Sequence, residues 1–415
     1  MSANTNTWID IIGIGEDGVA GLSPAALAAL ERAETVIGGD RHHSLTPGLT
    51  AQRIAWPHPF DALIDTIRAH KPRPLAILAT GDPLWFSVGA RILREIPAAE
   101  VTVHPQLSAF QWAAARMGWS LADTETLTAH GRPAAQVIPY FWPGARLLIL
   151  TAGAETPGQI AQALSDAGYG ASAMTVLGAL GGAGETRHDG TADAWAEQDP
   201  AADLPAFHTL AVRCQGAPAA PLPRWGLPDD AFEHDGKLTK LPIRTLTLAR
   251  LMPARGEILW DIGVGCGSVA IEWMRAAPDA VAVGFDPKRD RLATARQNAN
   301  RLGAPRMTLI DGAAPEALDT VPAPKGTQAD LRRPNAVFIG GGLSEAVFQR
   351  AWDALPPGGR LVANAVTLES EAVLLTLHAR HGGTLMRLAT QTASPVGGMT
   401  GWRPAMPVTQ WALIK

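Results

Sequence analysis

Cysteine is nearly absent. With Cys214 and Cys266 alone among 415 residues, the chain has neither a disulfide framework nor a thiolate set for zinc, which fits a reducing compartment. An excess of one charge is also missing. Lys and Arg number 35 against 39 Asp and Glu, a net charge of −4, so the basic surplus of a general nucleic-acid binder is excluded and an anionic ligand would need local Arg clusters. No apolar run reaches the roughly 18 residues of a membrane span, and the N-terminal residues lack the charged and apolar regions of a signal peptide. A cytoplasmic protein without membrane contact is expected. Charged residues are 18% and hydrophobic residues 47%, too little charge for a largely disordered chain and enough apolar material for full cores. What is abundant is turn chemistry: 42 Gly and 33 Pro, without a low-complexity repeat. Either linkers are long or glycines sit at many tight turns.

The length predicts two or three domains. Short β-branched runs alternating with Ala/Leu-rich stretches give the first half an α/β pattern. Strands are expected over 8–14, 75–79 and 101–104, with helices near 24–32, 62–70, 84–95 and 107–117. Ser23-Pro24 is a helix start, a hydroxyl N-cap followed by proline in the first turn. A second subdomain follows Gly118, with strands over 146–150, 172–177 and 208–213 and a helix over 158–167. The Pro-rich stretch that begins at Gly216 has almost no periodicity and reads as an inter-domain linker. The domains are therefore set at 1–215 (subdomains about 1–118 and 119–215), linker 216–235, and 236–415. The last domain reads as a doubly wound α/β unit whose two late strands, 385–392 and 408–414, suggest an antiparallel edge.

The strongest chemical signal is Asp261-Ile262-Gly263-Val264-Gly265-Cys266-Gly267-Ser268, directly after a strand and before a helix. Glycines there let a ligand approach the backbone, and the helix N-terminus offers free N–H groups. Asp286 closes the next strand, as expected of a carboxylate accepting ribose hydroxyls. Gly312 and Ala313 follow the third strand, where an adenine edge would lie, and Gly340 opens a Gly-Gly-Gly turn after the fourth. The bland reading is a tight strand-to-helix turn with Asp286 capping the next helix. A dinucleotide fingerprint would need its third glycine at Ser268. The spacing with an acidic residue two places earlier resembles Rossmann-like S-adenosylmethionine-dependent methyltransferases.

In the first half, Gly13 and Gly15 end the first strand, and Thr80-Gly81-Asp82-Pro83-Leu84-Trp85 follows the third. Pro105-Gln106-Leu107-Ser108 and Thr151-Ala152-Gly153-Ala154-Glu155-Thr156-Pro157 come next. Each alone reads as an ordinary turn. In this order and spacing they resemble the tetrapyrrole methylase family over about residues 8–213. The resemblance implies a two-subdomain α/β fold and an S-adenosylmethionine site that includes Gly13, Gly15, Gly81, Asp82, Pro83, Ser108 and Thr151. Two departures stand out: Gln106 where the family usually has glycine, and Glu185-Thr186-Arg187 where it has adjacent Glu-Arg.

The two domains in one chain resemble the fused, decarboxylating precorrin methyltransferases of cobalamin biosynthesis. That resemblance implies methylation of a precorrin-6 intermediate at C5 by the N-terminal domain. It implies methylation at C15 and loss of CO₂ from the ring C (C12) acetate in the C-terminal domain, giving precorrin-8. It also implies one S-adenosylmethionine per domain, a tetrapyrrole substrate and a homo-oligomer; the fused form implies a metal-free ring, with a cobalt-containing ring as the alternative. A two-domain NAD(P)-dependent oxidoreductase and a tetrapyrrole-binding scaffold are the competing readings.

Outside the glycine turns, Lys240 and Arg244 are candidates to bind substrate carboxylates, the alternative being a solvated helix start with Arg244 paired to a local acid. Asn364 and Thr367 follow a strand's C-terminal end and are candidates to position the reacting acetate, unless they cap the next helix. His42 and His43 have no ligand partners at metal spacing, so no metal site is expected and a surface loop is favoured. Cys266 reads as a small packed residue. Trp85, Trp112 and Trp119, among 13 Trp, either line a macrocycle cleft or pack in cores.

Overall fold

A computed structural model describes residues 7–198, 200–205, 207–216, 218, 221–324 and 329–415. The chain forms two compact units, the first built from residues 1–134 and 140–221, the second from 135–139 and 222–415.

The first unit holds two sheets. One contains β1 (Ile9–Ile14), β2 (Thr35–Gly38), β3 (Gln52–Ala55), β4 (Leu75–Thr80) and β5 (Val101–His104) in the order β3-β2-β4-β1-β5, all parallel. Central β1 and β4 are almost wholly buried because apolar clusters cover both faces of a parallel sheet. The expected helix Pro24–Arg32 forms as read, with the Ser23 hydroxyl accepting the Ala26 N–H at 3.2 Å. The second sheet contains β6 (Glu125–Thr128), β7 (Arg146–Leu150), β8 (Ala173–Gly178), β9 (Thr186–Thr191) and β10 (His208–Arg213) in the order β6-β7-β10-β8-β9. Only its β6–β7 pair is parallel.

The second unit is a seven-stranded sheet ordered β13-β12-β11-β14-β15-β19-β16. Its strands are β11 (Ile258–Ile262), β12 (Val281–Asp286), β13 (Thr308–Asp311), β14 (Ala336–Ile339), β15 (Arg360–Ala365), β16 (Thr384–Leu388) and β19 (Val408–Ile414). The first five run parallel, and β19 pairs antiparallel with both β15 and β16, giving the expected antiparallel edge. The strand read over 385–392 is divided: β16 ends at Leu388, and β17 (Gln391–Val396) turns into β18 (Met399–Pro404) as a separate hairpin.

The stretch read as a free linker is largely structural. From Leu222 onward it packs on the second unit, with Leu227 and Phe232 buried in that unit's core. Its carbonyls find side-chain donors where prolines interrupt any ladder. Arg275 donates to Pro223 O at 2.7 Å and Arg224 O at 3.0 Å, and Glu272 accepts the N–H of Gly226 and, at 3.2 Å, that of Leu227. Periodicity misses such a segment because its polar groups are satisfied from outside rather than by its own repeat.

Glu272 also meets Arg244 Nε at 2.5 Å with neither side chain exposed to solvent. Removing one partner of such a buried pair typically costs about 3–5 kcal/mol because a charge is left uncompensated. Glu272→Gln should therefore destabilise the C-terminal unit by about 3 kcal/mol in urea unfolding. A loss below about 1 kcal/mol, the range of exposed pairs, would show that the strap is not anchored there.

Candidate functional sites

The C-terminal glycine motif lies at the carboxyl ends of the parallel strands, where open α/β sheets bind ligands. Gly263 has φ +77°, and a Cβ there would stand 2.9 Å from Gly341 N, so the β11 and β14 turns approach backbone to backbone only because the side chain is missing. Asp286, buried at the end of β12, accepts the Gly265 N–H at 3.2 Å and the Lys288 N–H at 3.0 Å. Gly312 donates to Asp286 O at 3.2 Å and Gly340 to Ile262 O at 2.9 Å, while Ala313 O accepts the Ala317 N–H at 3.0 Å. The residues after β11, β12, β13 and β14 thus form one cluster. Gly267 precedes helix Ser268–Ala276, and Asn298 fastens the motif from behind by donating to Cys266 O at 3.0 Å and Glu233 O at 2.8 Å. Cys266 is buried, and burial pushes its thiol up, as expected of a packing residue.

Asp261 has an unusual state. One carboxylate oxygen accepts the Ala270 N–H at 3.1 Å, and Oδ1 is buried without a partner among the described residues. Burial first, and the Asp286 carboxylate to a lesser extent, push its pKa up to about 7. An open glycine cradle and a buried carboxylate acceptor, Asp286, on the neighbouring strand suit a ligand carrying hydroxyl donors.

The polar candidates around this motif divide. Arg244 is fully buried. Its guanidinium bonds Glu272, Asp229 at 3.0 Å, Thr239 O at 2.5 Å and Leu227 O, and it lies 4.9 Å from the Phe232 ring centre. The expectation that Arg244 binds substrate carboxylates is corrected: the local acids hold it inside. Lys240 starts helix Leu241–Leu251, half exposed, with Nζ 3.9 Å from Asp229. Asn364 donates to Thr247 Oγ1 at 3.1 Å and accepts from Gln410 at 3.0 Å, a buried polar cluster that fixes its amide. Thr367 caps helix Leu368–His381 by accepting the Ser370 N–H at 3.3 Å, the capping alternative.

In the first unit the turns after β1, β4 and β5 converge. A Cβ on Gly13 would run into Gly81 O and stand 2.7 Å from Gln106 Cβ. Gln106 donates to Gly21 O at 2.7 Å and accepts the Leu107 N–H at 2.9 Å. The departure from glycine thus ties two loops together. The Cβ of a residue at Gly15 would fall 2.7 Å from Asp17 Oδ1. Asp82 accepts the Leu84 N–H at 2.7 Å, closing the turn that buries Pro83, and Ser108 caps helix Ala109–Met117. Beside these turns opens a cavity of about 580 Å³. Ser108 and Thr151 line it, as do Trp85 and Phe86, and Thr151 donates to His208 O at 2.8 Å. Gly15 and Gly81 line a smaller adjoining recess with Trp112; Trp119, which lines neither space, packs with Trp112 on a core cluster that includes Phe110 and Leu177.

Sequence reasoning missed several cavity residues. His42 is buried, not in a surface loop. Its Nδ1 accepts the Gly39 N–H at 3.0 Å, so Nε2 donates to Thr80 Oγ1 at 2.8 Å. Burial first, then Arg41 and His43, push its pKa down to about 4, keeping it neutral. Trp56, Arg91, His130, Phe207 and His208 also face this space. Their sequence signal is weak, since they come from edge turns and strand ends far apart in the chain.

The folds and strand-end turns define a pair of methyltransferase domains. Residues 9–195 match the family model for tetrapyrrole (corrin/porphyrin) methylases, and residues 230–415 match that for the precorrin methyltransferase domain. A Sinorhizobium protein named precorrin-6Y C(5,15)-methyltransferase (decarboxylating) is 44% identical over 421 residues, covering 100% of this chain and 98% of its own. A Mycobacterium tuberculosis protein of the same name is 39% identical over 411 residues, covering 98% and 100%. The crystal structure of the C-terminal domain of precorrin-6Y C5,15-methyltransferase from Rhodobacter capsulatus is 47% identical, covering 47% of this chain and 100% of its own, with a TM-score of 0.42. The chain belongs to the precorrin-6Y C(5,15)-methyltransferase (decarboxylating) family, whose methyl donor is S-adenosylmethionine. No helix among the described residues is long and apolar enough to cross a membrane.

Asp261 generates a pH prediction. Between its ordinary pKa of 3.8 and about 7, the folded protein holds a proton that the unfolded chain has released, so this residue's contribution to stability falls as pH rises and levels off above that window. The urea midpoint of Asp261→Asn relative to the parent should rise from pH 4 to pH 7 and then stay constant. Parallel pH profiles would contradict a protonated buried carboxyl.

Proposed function

We propose that this chain methylates a precorrin at C5 through its N-terminal domain and at C15 through its C-terminal domain. The C-terminal domain also removes CO₂ from the ring C acetate, and the product is precorrin-8. Each domain takes its own S-adenosylmethionine. The observation that carries this reading is that each unit has its own cluster of glycine turns at the carboxyl ends of parallel strands.

When bound, the cofactor supplies an electrophilic methyl group on a sulfonium leaving group. The chain's part is alignment, which by itself contributes several orders of magnitude in rate. In the C-terminal domain the turn from Gly263 to Gly267 presents backbone, and Asp286 offers a buried carboxylate to ribose hydroxyls. Gly312, Ala313 and Gly340 edge the same space. Lys240, exposed at a helix start, is the cation for a substrate carboxylate, and Asn364, held by Thr247 and Gln410, has the fixed amide that positioning an acetate requires. Loss of CO₂ breaks the bond between the acetate methylene and its carboxylate, and the electron pair enters the protonated conjugated macrocycle. In the N-terminal domain Gly13, Gly15, Gly81, Ser108 and Thr151 edge the cofactor, and Trp85 and Phe86 offer apolar surface to a flat ring.

Mass spectrometry of the product formed from precorrin-6Y or its reduced form checks this. Two added methyl groups and the loss of one CO₂ are expected. A single methyl group would mean a silent domain, and no methyl transfer would refute the reading.

A further inference from the structure

Among the residues lining the cavity of the first unit is a buried imidazole, one of whose nitrogens has no partner among the described residues. His208 starts β10 and is 6% exposed. Its Nδ1 lies 2.6 Å from Pro205 O. A carbonyl only accepts, so Nδ1 carries the ring proton and Nε2 is left as a bare lone pair. No donor among the described residues reaches that nitrogen, although buried polar atoms are nearly always satisfied. The ring is held firmly: its own carbonyl accepts Thr151 Oγ1–H at 2.8 Å, and β10 is paired on both sides.

Other bases in the cavity are engaged or exposed. Among the described residues no Asp or Glu lines it. Glu16, in the adjoining recess, is paired with Arg41. Both nitrogens of His42 are bonded, and His130 lies exposed to water. Burial holds His208 below the usual imidazole range, with the Pro205 carbonyl and Glu155 pulling upward and His188 downward, so the lone pair is available at neutral pH.

We propose that His208 Nε2 accepts the proton released from the substrate's meso carbon during methylation in the N-terminal domain. This rests on the function proposed above. The meso carbon's electron pair forms the new carbon–carbon bond as the carbon–sulfur bond breaks and its pair stays on sulfur. The substrate then carries one positive charge, and loss of the meso C–H proton restores the neutral conjugated system. That proton passes to Nε2, giving an imidazolium that later discharges to water. One proton is released for each methyl group transferred.

The test uses the full chain. In His208→Asn the side-chain amide can still donate to Pro205 O but has no base at the Nε2 position. Methylation by the N-terminal domain should fall about 100-fold or more, so that the product carries one methyl group and has lost CO₂. S-adenosylhomocysteine binding should be unchanged. Substrate deuterated at the meso carbon should react more slowly than protiated substrate in the variant, with the two rates nearly equal in the parent. In the ¹⁵N spectrum of histidine-labelled parent protein, His208 Nε2 should resonate as an unprotonated nitrogen at neutral pH. A parent that fails to add two methyl groups overturns the underlying function. A parent that adds both, with a variant that matches its rate, overturns the role of His208. Loss of S-adenosylhomocysteine binding in both His208→Asn and His208→Gln, or a protonated Nε2 in the spectrum, would overturn it as well.

Discussion

Backbone meeting backbone with no side chain between is the contact on which both domains depend. In the first unit Gly13 faces Gly81 and Gln106; in the second Gly263 faces Gly341. Parallel strands end at a common edge, and their turns can gather into one site only if adjacent loops approach within van der Waals distance. A methyl group at either glycine would hold them apart. The chemistry assigned to each domain, in which a ligand is aligned more than it is activated, follows from this arrangement.

Around these turns the buried polar groups act as fasteners. Asn298 holds the Cys266 carbonyl and the strap at Glu233, and the Arg244–Glu272 pair, with Asp229, holds the same strap at Leu227 and Thr239. A buried ion pair is a poor source of net stability compared with apolar packing, but it is costly to break on one side. Here it fixes the chain entering the helix that begins at Leu241. His42 plays a comparable part in the first unit, where its fixed tautomer sets which way the Thr80 hydroxyl bonds.

Much of this was legible in the sequence because strand-end glycines and periodic helices are local signals. Helix Pro24–Arg32 and strands Val101–His104, Arg146–Leu150 and His208–Arg213 fall where periodicity puts them. Among the strands that escaped, Gln52–Ala55 and Thr186–Thr191 are exposed edge strands with few apolar residues, and Thr35–Gly38 is buried but only four residues long, so pairing with their neighbours rather than pattern defines them. For Arg244 the pairing to a local acid was one of the two readings, but its burial was not legible, because a cation near a helix start looks solvated until its acids, 15 and 28 residues away, fold around it. His208 gave only a weak signal, since its meaning lies in a carbonyl that fixes one nitrogen and in the lack of a partner, among the described residues, for the other. Many of the glycines stand in turns at strand ends, and the Pro-rich stretch from Leu222 onward is a docked strap.

The function proposed above requires two independent cofactor sites in one chain. Equilibrium dialysis of the full chain with labelled S-adenosylhomocysteine tests it most directly. Two molecules should bind per chain at saturation; one molecule, or none, would contradict two independent sites.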